Sequence, residues 1–401
     1  MTYRLKDFTI YLIFTLLSLP HMIKLKSNNL ISKNNIQNLQ VSPEELQIAF
    51  KAKIPGLENL HPHTQELINI YKNWNNKEYR KQNIDKLFSE FKSKQNMLYT
   101  SVSESQYRKQ IFEKSVLDAG KHNLHFARGH HSYHLGITKF ADITDEEFIN
   151  RYTMKPIPSV KDSHNTKQSK IKKTKVQYPE SVDFRNKNVI GPIEDQGTCG
   201  SCYSFSTVGA TEAAYVMKNS SNTFHQLSKQ EMVDCGSSTG LALSACQGGV
   251  LESAYKYLSK FGISESKDYP YTQKPSKCLA YKKPRFLTLS GYKMLDDYTK
   301  DGFLSMLAKQ PMSIAVQMTR YLKLYNGGVV DIKGPCGFFY NHGILAVGYS
   351  NVQTSGTVPY LILKNTYGEN WGENGYMLYR MGVGNTGMCA FINVNDSHPI
   401  I

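Results

Sequence analysis

No cysteine occurs before position 199 of this chain, and seven occur from there on, at 199, 202, 235, 246, 278, 336 and 389. In an oxidising compartment an odd count predicts three cystines and one thiol kept free for chemistry. The second half must therefore fold around covalent staples that the first half lacks. Spacing alone leaves the pairing open. The N-terminus points to passage through such a compartment: Arg4 and Lys6 precede the apolar run Phe8–Leu19, and Pro20 and basic residues from Lys24 follow it. That run is short for a membrane span and suits a signal-peptide core. Residues 1–26 thus read as a signal peptide or, since no small-x-small cleavage site follows, a signal anchor; membrane attachment is expected only in the second case.

The formal charge of +15 raises the question of a nucleic-acid partner, and its distribution answers it. From Val176 to the end 20 Lys and Arg face 17 Asp and Glu, so the excess lies in the front half. Part of it is Lys161–Lys175, six lysines with almost no apolar residue, which is the composition of a solvated linker. No helix-turn-helix, RNP-like or zinc-finger pattern accompanies it, and no nucleic-acid partner is expected. HExxH, clustered Cys/His ligands and phosphate loops are also missing from the sequence, so no metal or cofactor is expected.

At 401 residues the chain has room for two or three folded units. Apolar residues at three- and four-residue spacing predict one amphipathic helix over 67–94 and a second over 104–122. A short apolar alternation begins at His134, and Thr144 with Glu147 makes a capping box before a further helix. These elements fit a small, mostly helical domain over 65–152, followed by a basic linker over 153–176. From 177 to 401 the texture changes to interleaved Gly, Cys and aromatic residues. Helices are predicted over 204–219, 252–261 and 301–309, and then strands in MSIAVQM, GGVV, GILAVGY, PYLILKNTY, GYMLYRM and AFINV. An α+β fold of two lobes, one helical and one strand-rich, follows, and a cleft between such lobes is a common place for chemistry.

The segment QGTCGSCYSF (196–205) brings Cys202 to the start of a helix, where N–H groups and the dipole favour an anion, and the thiolate is the nucleophilic form. A cysteine nucleophile needs a base or an imidazolium partner. Beyond Val176 the histidines are 225, 342 and 398, and His342 alone stands within apolar, strand-like sequence, YNHGILAVGY. Asn365, at the end of PYLILKN, could accept the second imidazole N–H, although Asn-Thr-Tyr-Gly is equally a turn.

These segments resemble the papain-like cysteine peptidases, specifically those close to cathepsin L. Cys199-Gly200-Ser201-Cys202-Tyr203 fits the family pattern C-G-[SA]-C-[WY], with the histidine and asparagine well over a hundred residues downstream. The resemblance implies a helical left lobe and a β-barrel-like right lobe, with Cys202 as nucleophile, His342 as acid/base, Asn365 as its orienter and Gln196 as an oxyanion donor. It implies that Cys199 bridges Cys246, Cys235 bridges Cys278 and Cys336 bridges Cys389, leaving Cys202 free. Gly248 and Gly249 would be the backbone rail for substrate, while Val250, Leu251, Ala315, Gly343 and Val394 would line an apolar specificity pocket without a carboxylate at its base. The expected activity is that of a cysteine endopeptidase acting on proteins and peptides, with a hydrophobic residue two places before the cut. A monomer of an acidic vacuole, lysosome-like compartment or the extracellular space is implied.

The front domain resembles the family's inhibitory propeptide: Glu104, Arg108, Phe112 and Asn123 fit its long-helix motif, and Gly136, Phe140 and Asp142 its second. The resemblance implies a zymogen whose own prosegment crosses the cleft in reverse and is cut in or near the linker. Tyr203 and Tyr367 stand where the family has tryptophan. The smaller phenol at 367 is expected to shield the Asn365–His342 contact less well, and a weakened homologue that binds peptides is the alternative function. His122, His125, His130, His131 and His134 read first as solvated loop residues and second as a sensor of acidification. Asn219-Ser-Ser and Asn395-Asp-Ser are glycosylation sequons.

Overall fold

The computed structural model describes residues 60–155, 157–158, 178–219, 223–332, 339–350, 358–382, 392 and 396–401. The expected signal segment, most of the linker, the expected bridge between Cys336 and Cys389, Val394 and the sequon residues Ser220, Ser221 and Asn395 lie outside them.

In the front domain the helix expected over 67–94 is two helices, α1 (Pro62–Lys72) and α2 (Lys77–Lys94). The apolar spacing runs on through the junction, but polar caps cut it. Asn73 closes α1, and the Asn76 side chain accepts the Tyr79 N–H at 3.0 Å to open α2. Helix α3 (Val102–Ala127) outruns its expected limits, capped by Ser101. It crosses α1 so closely that a Cβ on Gly120 would stand 2.4 Å from the Leu67 carbonyl oxygen. Phe88, Phe91 and Phe112 form the centre of this domain, with ring centroids 5.1–6.3 Å apart.

Strand β1 (Tyr133–Leu135) is fixed to α3 by Asn123, whose amide both donates to and accepts from the Leu135 backbone at 2.8 Å. Helix α4 (Asp145–Tyr152) starts with the full capping box, Thr144 bonding the Glu147 N–H and Glu147 bonding back. Arg108 holds the same Glu147 through two nitrogens at 2.7 and 2.9 Å, tying α3 to α4. Two-residue strand β2 (Ile157–Pro158) ends the described part of this domain.

Of the five clustered histidines only His130 is exposed as a solvated loop residue would be. His122 and His131 stack at 4.2 Å, His122 meets the Tyr133 carbonyl at 2.9 Å, and burial lowers His122 to about 4. Their packing against β1 is the reason.

The helical lobe holds α5 (Cys202–Lys218), α6 (Lys229–Cys235) and α7 (Leu251–Phe261). Nearly every residue of α5 is buried, because it is the spine between this lobe and the sheet. The lobe is stapled by two cystines, Cys199–Cys246 and Cys235–Cys278, in the pairing the resemblance implied. At the first of them the Gly200 N–H also donates to the Cys246 carbonyl at 2.9 Å. The bridge and this bond together fix the turn that leads into α5.

The other lobe comprises β3 (Val182–Asp183), β4 (Gly291–Met294), α8 (Lys300–Leu307), β5 (Met312–Val316), β6 (Tyr325–Val330), β7 (Phe339–Tyr340), β8 (His342–Ser350), β9 (Tyr360–Lys364), β10 (Tyr376–Arg380) and β11 (Ser397–Ile400). Its strands run in the order β6-β10-β9-β8-β5-β11-β4, with β3 beside β8 and the front domain's β1 added outside β6. The strand expected at AFINV falls mostly outside the described residues; the last described strand, β11, lies in what reads as tail.

Strands β5, β8 and β9 set the site. β8 is antiparallel to both neighbours, with Val316 opposite His342 and Leu345 opposite Lys364. His342 thus opens one central strand and Asn365 directly follows the next. All nine residues of β8 except Ser350 are buried, as expected for a strand covered on both faces.

Candidate active site

Cys202 is the first residue of α5, so its sulfur lies at the helix's positive end. It is fully buried, is the one free cysteine among the described residues, and receives the Gly343 N–H at 3.4 Å. Gly343 leaves little room for a side chain: a Cβ there would stand 3.2 Å from the Tyr203 nitrogen. His342 Nε2 lies 2.8 Å from Asn365 Oδ1, which also accepts the Thr366 N–H at 2.8 Å. An amide oxygen can only accept, so Nε2 carries the proton and Nδ1 is left as the acceptor. That Nδ1 is buried without a hydrogen-bond partner.

Burial pushes the Cys202 thiol up to about 12, although N–H groups at Gly343 and Tyr203 oppose it. The same burial takes His342 down to about 4, against the pull of Asn365. Burial thus works against the thiolate and the imidazolium alike. A cover that removes water disfavours the ion pair on both sides at once.

The cover is the front domain. Gln196 is held by Thr366, which donates to its Oε1, while its Nε2 donates to the Cys199 carbonyl at 2.8 Å and to the Tyr152 carbonyl at 3.3 Å. From Tyr152 the chain passes Gly200, where a Cβ would meet the Thr153 oxygen at 3.1 Å. The Met154 N–H then donates to the Asn341 carbonyl at 2.7 Å and the Lys155 N–H to the Gln247 carbonyl at 3.1 Å. Thr153 and Met154 are buried, so the segment expected to begin the linker begins inside the cleft. The lysine run that follows dominated its composition.

Gly248 has φ +118°, and a Cβ on it would stand 2.8 Å from Met154 Cβ, so this position admits no side chain while Met154 is in place. Leu251 and Ala315 share a buried apolar cluster with Met154, Tyr203, Leu243 and Tyr340, while Gly249 packs on Tyr203 and Leu243. Val250 is half-buried at the start of α7. Tyr340, Asn341 and Leu243 were missed from sequence; Tyr340 and Asn341 directly precede His342, and nothing in their local pattern distinguishes them from strand residues.

Two lysines clamp the cover. Lys139 of the front domain reaches Asp195 at 2.5 Å, beside Gln196. Lys323 of the strand-rich lobe donates to the Ile143 carbonyl at 2.8 Å and pairs with Asp145 at 2.9 Å. In the zymogen the Tyr367 phenol is itself covered by aromatic residues of the prosegment. It is completely buried, its ring lies 5.2 Å from His342, and Phe140, Phe148 and Trp371 pack edge-on around it. Phe140 and Phe148 belong to the prosegment, so this cover is a property of the zymogen.

Residues 178–397 match the family described as papain family cysteine protease, and residues 88–148 match the cathepsin propeptide inhibitor domain. Chymopapain of Carica papaya is 35% identical over 308 residues, covering 76% of this chain and 83% of the relative. A cathepsin L-like proteinase of Fasciola hepatica is 32% identical over 318 residues, covering 77% and 92% respectively. Among solved structures, digestive procathepsin L 3 of Tenebrio molitor larval midgut superposes with a TM-score of 0.67 at 30% identity, over 79% of this chain and 99% of that one. The chain belongs to the papain family of cysteine proteases, as an endopeptidase zymogen that carries its own cathepsin-type inhibitory propeptide.

Proposed function

We propose that Cys202 is the nucleophile of this peptidase, His342 its acid and base, Asn365 the orienter of the imidazole, and Gln196 Nε2 with the Cys202 backbone N–H the oxyanion donors. The thiol proton passes to His342 Nδ1 and the sulfur attacks the scissile carbonyl carbon. The oxyanion collapses as the C–N bond breaks and His342 protonates the departing amine. Water, deprotonated by His342, then cleaves the thioester and returns the thiolate. The observation that carries this reading is a free thiol at a helix start that accepts the N–H of Gly343, the residue after His342, whose imidazole is held by Asn365 with its acceptor nitrogen unpartnered.

In the zymogen, residues 152–155 occupy the cleft in the reverse of the substrate direction. The buried Met154 beside Gly248, in one cluster with Leu251 and Ala315, supports a pocket that takes Leu, Val, Phe or Met two places before the cut. Arg there is expected to be poor, and equal cleavage of Arg and Leu peptides would sink that specificity. Activation cleaves within 153–176, in an acidic compartment of the secretory route or outside the cell, and the enzyme acts as a monomer. Among the described residues no helix is long and apolar enough to cross a membrane.

The test is to express the chain from Ser27, acidify it with reductant, and follow intact mass with and without an epoxide inhibitor of cysteine peptidases. The expected product begins near Val176 and carries one inhibitor equivalent on Cys202. No processing and no labelling, even after another protease removes the prosegment, would leave the peptide-binding alternative.

A further inference from the structure

The Tyr152 carbonyl, where the prosegment enters the cleft beside Gln196, receives two side-chain donors. One is Gln196 Nε2 at 3.3 Å, and the other is the Tyr367 hydroxyl at 3.0 Å. Gln196 is a donor in the reaction already proposed, and the phenol meets the same oxygen. Phe140 and Phe148 of the prosegment pack on the Tyr367 ring, and two further contacts belong to the peptidase itself: His342 lies 5.2 Å away and Trp371 5.4 Å away edge-on. The His342 and Trp371 contacts remain when the prosegment leaves, and a donor held before substrate arrives acts in the transition state without reorganisation.

We propose that Tyr367 is a third oxyanion donor, its hydroxyl joining Gln196 on the substrate oxygen as Cys202 attacks. The exchange of tryptophan for tyrosine thus adds a hydroxyl donor beside the hole. No proton leaves the phenol: the O–H stays intact and its hydrogen bond shortens as charge grows on the oxygen, then relaxes when the thioester carbonyl re-forms. Burial in the zymogen raises the phenol well above its usual pKa, and an ordinary phenol already keeps its proton at neutral and acid pH. This inference rests on the assignment of Cys202 and Gln196 above.

Tyr367→Phe removes the hydroxyl and keeps the ring. In the full chain after autoactivation, kcat should fall about tenfold with KM held within about twofold, since the contact strengthens only in the transition state. Affinity for a peptide aldehyde, whose hemithioacetal oxygen occupies the hole, should fall about tenfold too. The rate of Cys202 alkylation by iodoacetamide, which forms no oxyanion, should stay within about twofold. Unchanged kcat and aldehyde affinity would overturn the proposal, as would a parallel loss of alkylation rate, which would mean that the ring acts through the His342–Cys202 pair. If the phenylalanine variant does not accumulate, 3,5-difluorotyrosine at 367 offers a stronger donor of nearly the same shape, and it should raise kcat and tighten the aldehyde. No change in either would equally overturn it. Failure of the underlying assignment is separate: Cys202→Ala would then retain the hydrolysis of the unmodified chain.

Discussion

The prodomain and the helical lobe of the peptidase are both helix bundles, yet they use charge and covalent bonds in opposite ways. The lobe carries two cystines and a buried cluster in which Lys229, 1% exposed at its side chain, pairs with Glu212 at 2.7 Å and Glu194 at 2.8 Å. Burial pulls the Lys229 ammonium down, but the two carboxylates more than compensate and keep it charged. The prodomain has no cystine, and its ion pairs are less deeply buried, the Arg108–Glu147 pair being partly covered. Its hold on the cleft is made by backbone bonds, by buried contacts of Met154, Phe140 and Phe148, and by the ion-paired Lys139 and Lys323. One unit is built to persist and the other to leave when solvent conditions change.

The sharpest test of that contrast lies in the aromatic centre of the prodomain. Phe112 is fully buried against Phe88 and Phe91, and Phe112→Ala should cost about 3–5 kcal/mol. Region-resolved hydrogen exchange should show the loss in residues 60–155 and not in α5. An equal loss in both would mean that the two units unfold as one, and the comparison would break.

A smaller effect is expected from the cystine that closes a 43-residue separation, Cys235–Cys278. Replacing both cysteines by serine should destabilise the activated peptidase by about 2–4 kcal/mol in denaturant melts. In the zymogen, prodomain exchange should stay as it was.

The smallest effect, and the one that bears on activation, is at Glu147. The Arg108 hydrogen bonds hold its carboxyl below the ordinary 4.5. The pair's contribution is therefore complete above that value and is lost as pH falls through the lower folded value. Asp142 opposes it, since burial raises that carboxyl and acid favours its neutral form in the fold. Glu147→Gln should flatten the acid limb of prodomain stability by less than about 1 kcal/mol, because the pair is screened by solvent. An unaltered acid limb would place the trigger elsewhere.

The legibility of this molecule in its sequence follows the range of the interactions involved. Cys202, the Thr144–Glu147 capping box and the strands at 312–316, 342–350 and 360–364 were readable because their signals are contained within a few residues. The partners of Cys199 and Cys235 were not, because Cys246 and Cys278 lie more than forty residues on and only the family resemblance chose between pairings. The break between α1 and α2 was hidden because apolar spacing continues across it and an asparagine cap is common in turns. Met154 was masked by the lysines that follow it. The surroundings of Tyr367 were only partly readable, since Trp371 lies four residues on in the same loop but Phe140 and Phe148 arrive from the prodomain.

The three-residue ladder between β1 and β6 has one more effect. While the prosegment is in place, β1 covers the outer rim of β6. Maturation uncovers it and presents a row of unmatched amides to whatever extended chain comes by, the usual starting point for stacking into aggregates. Gly328 interrupts that row: its φ of +87° turns the backbone away from a flat template. The enzyme therefore emerges from its zymogen with an open border that is already bent against self-association.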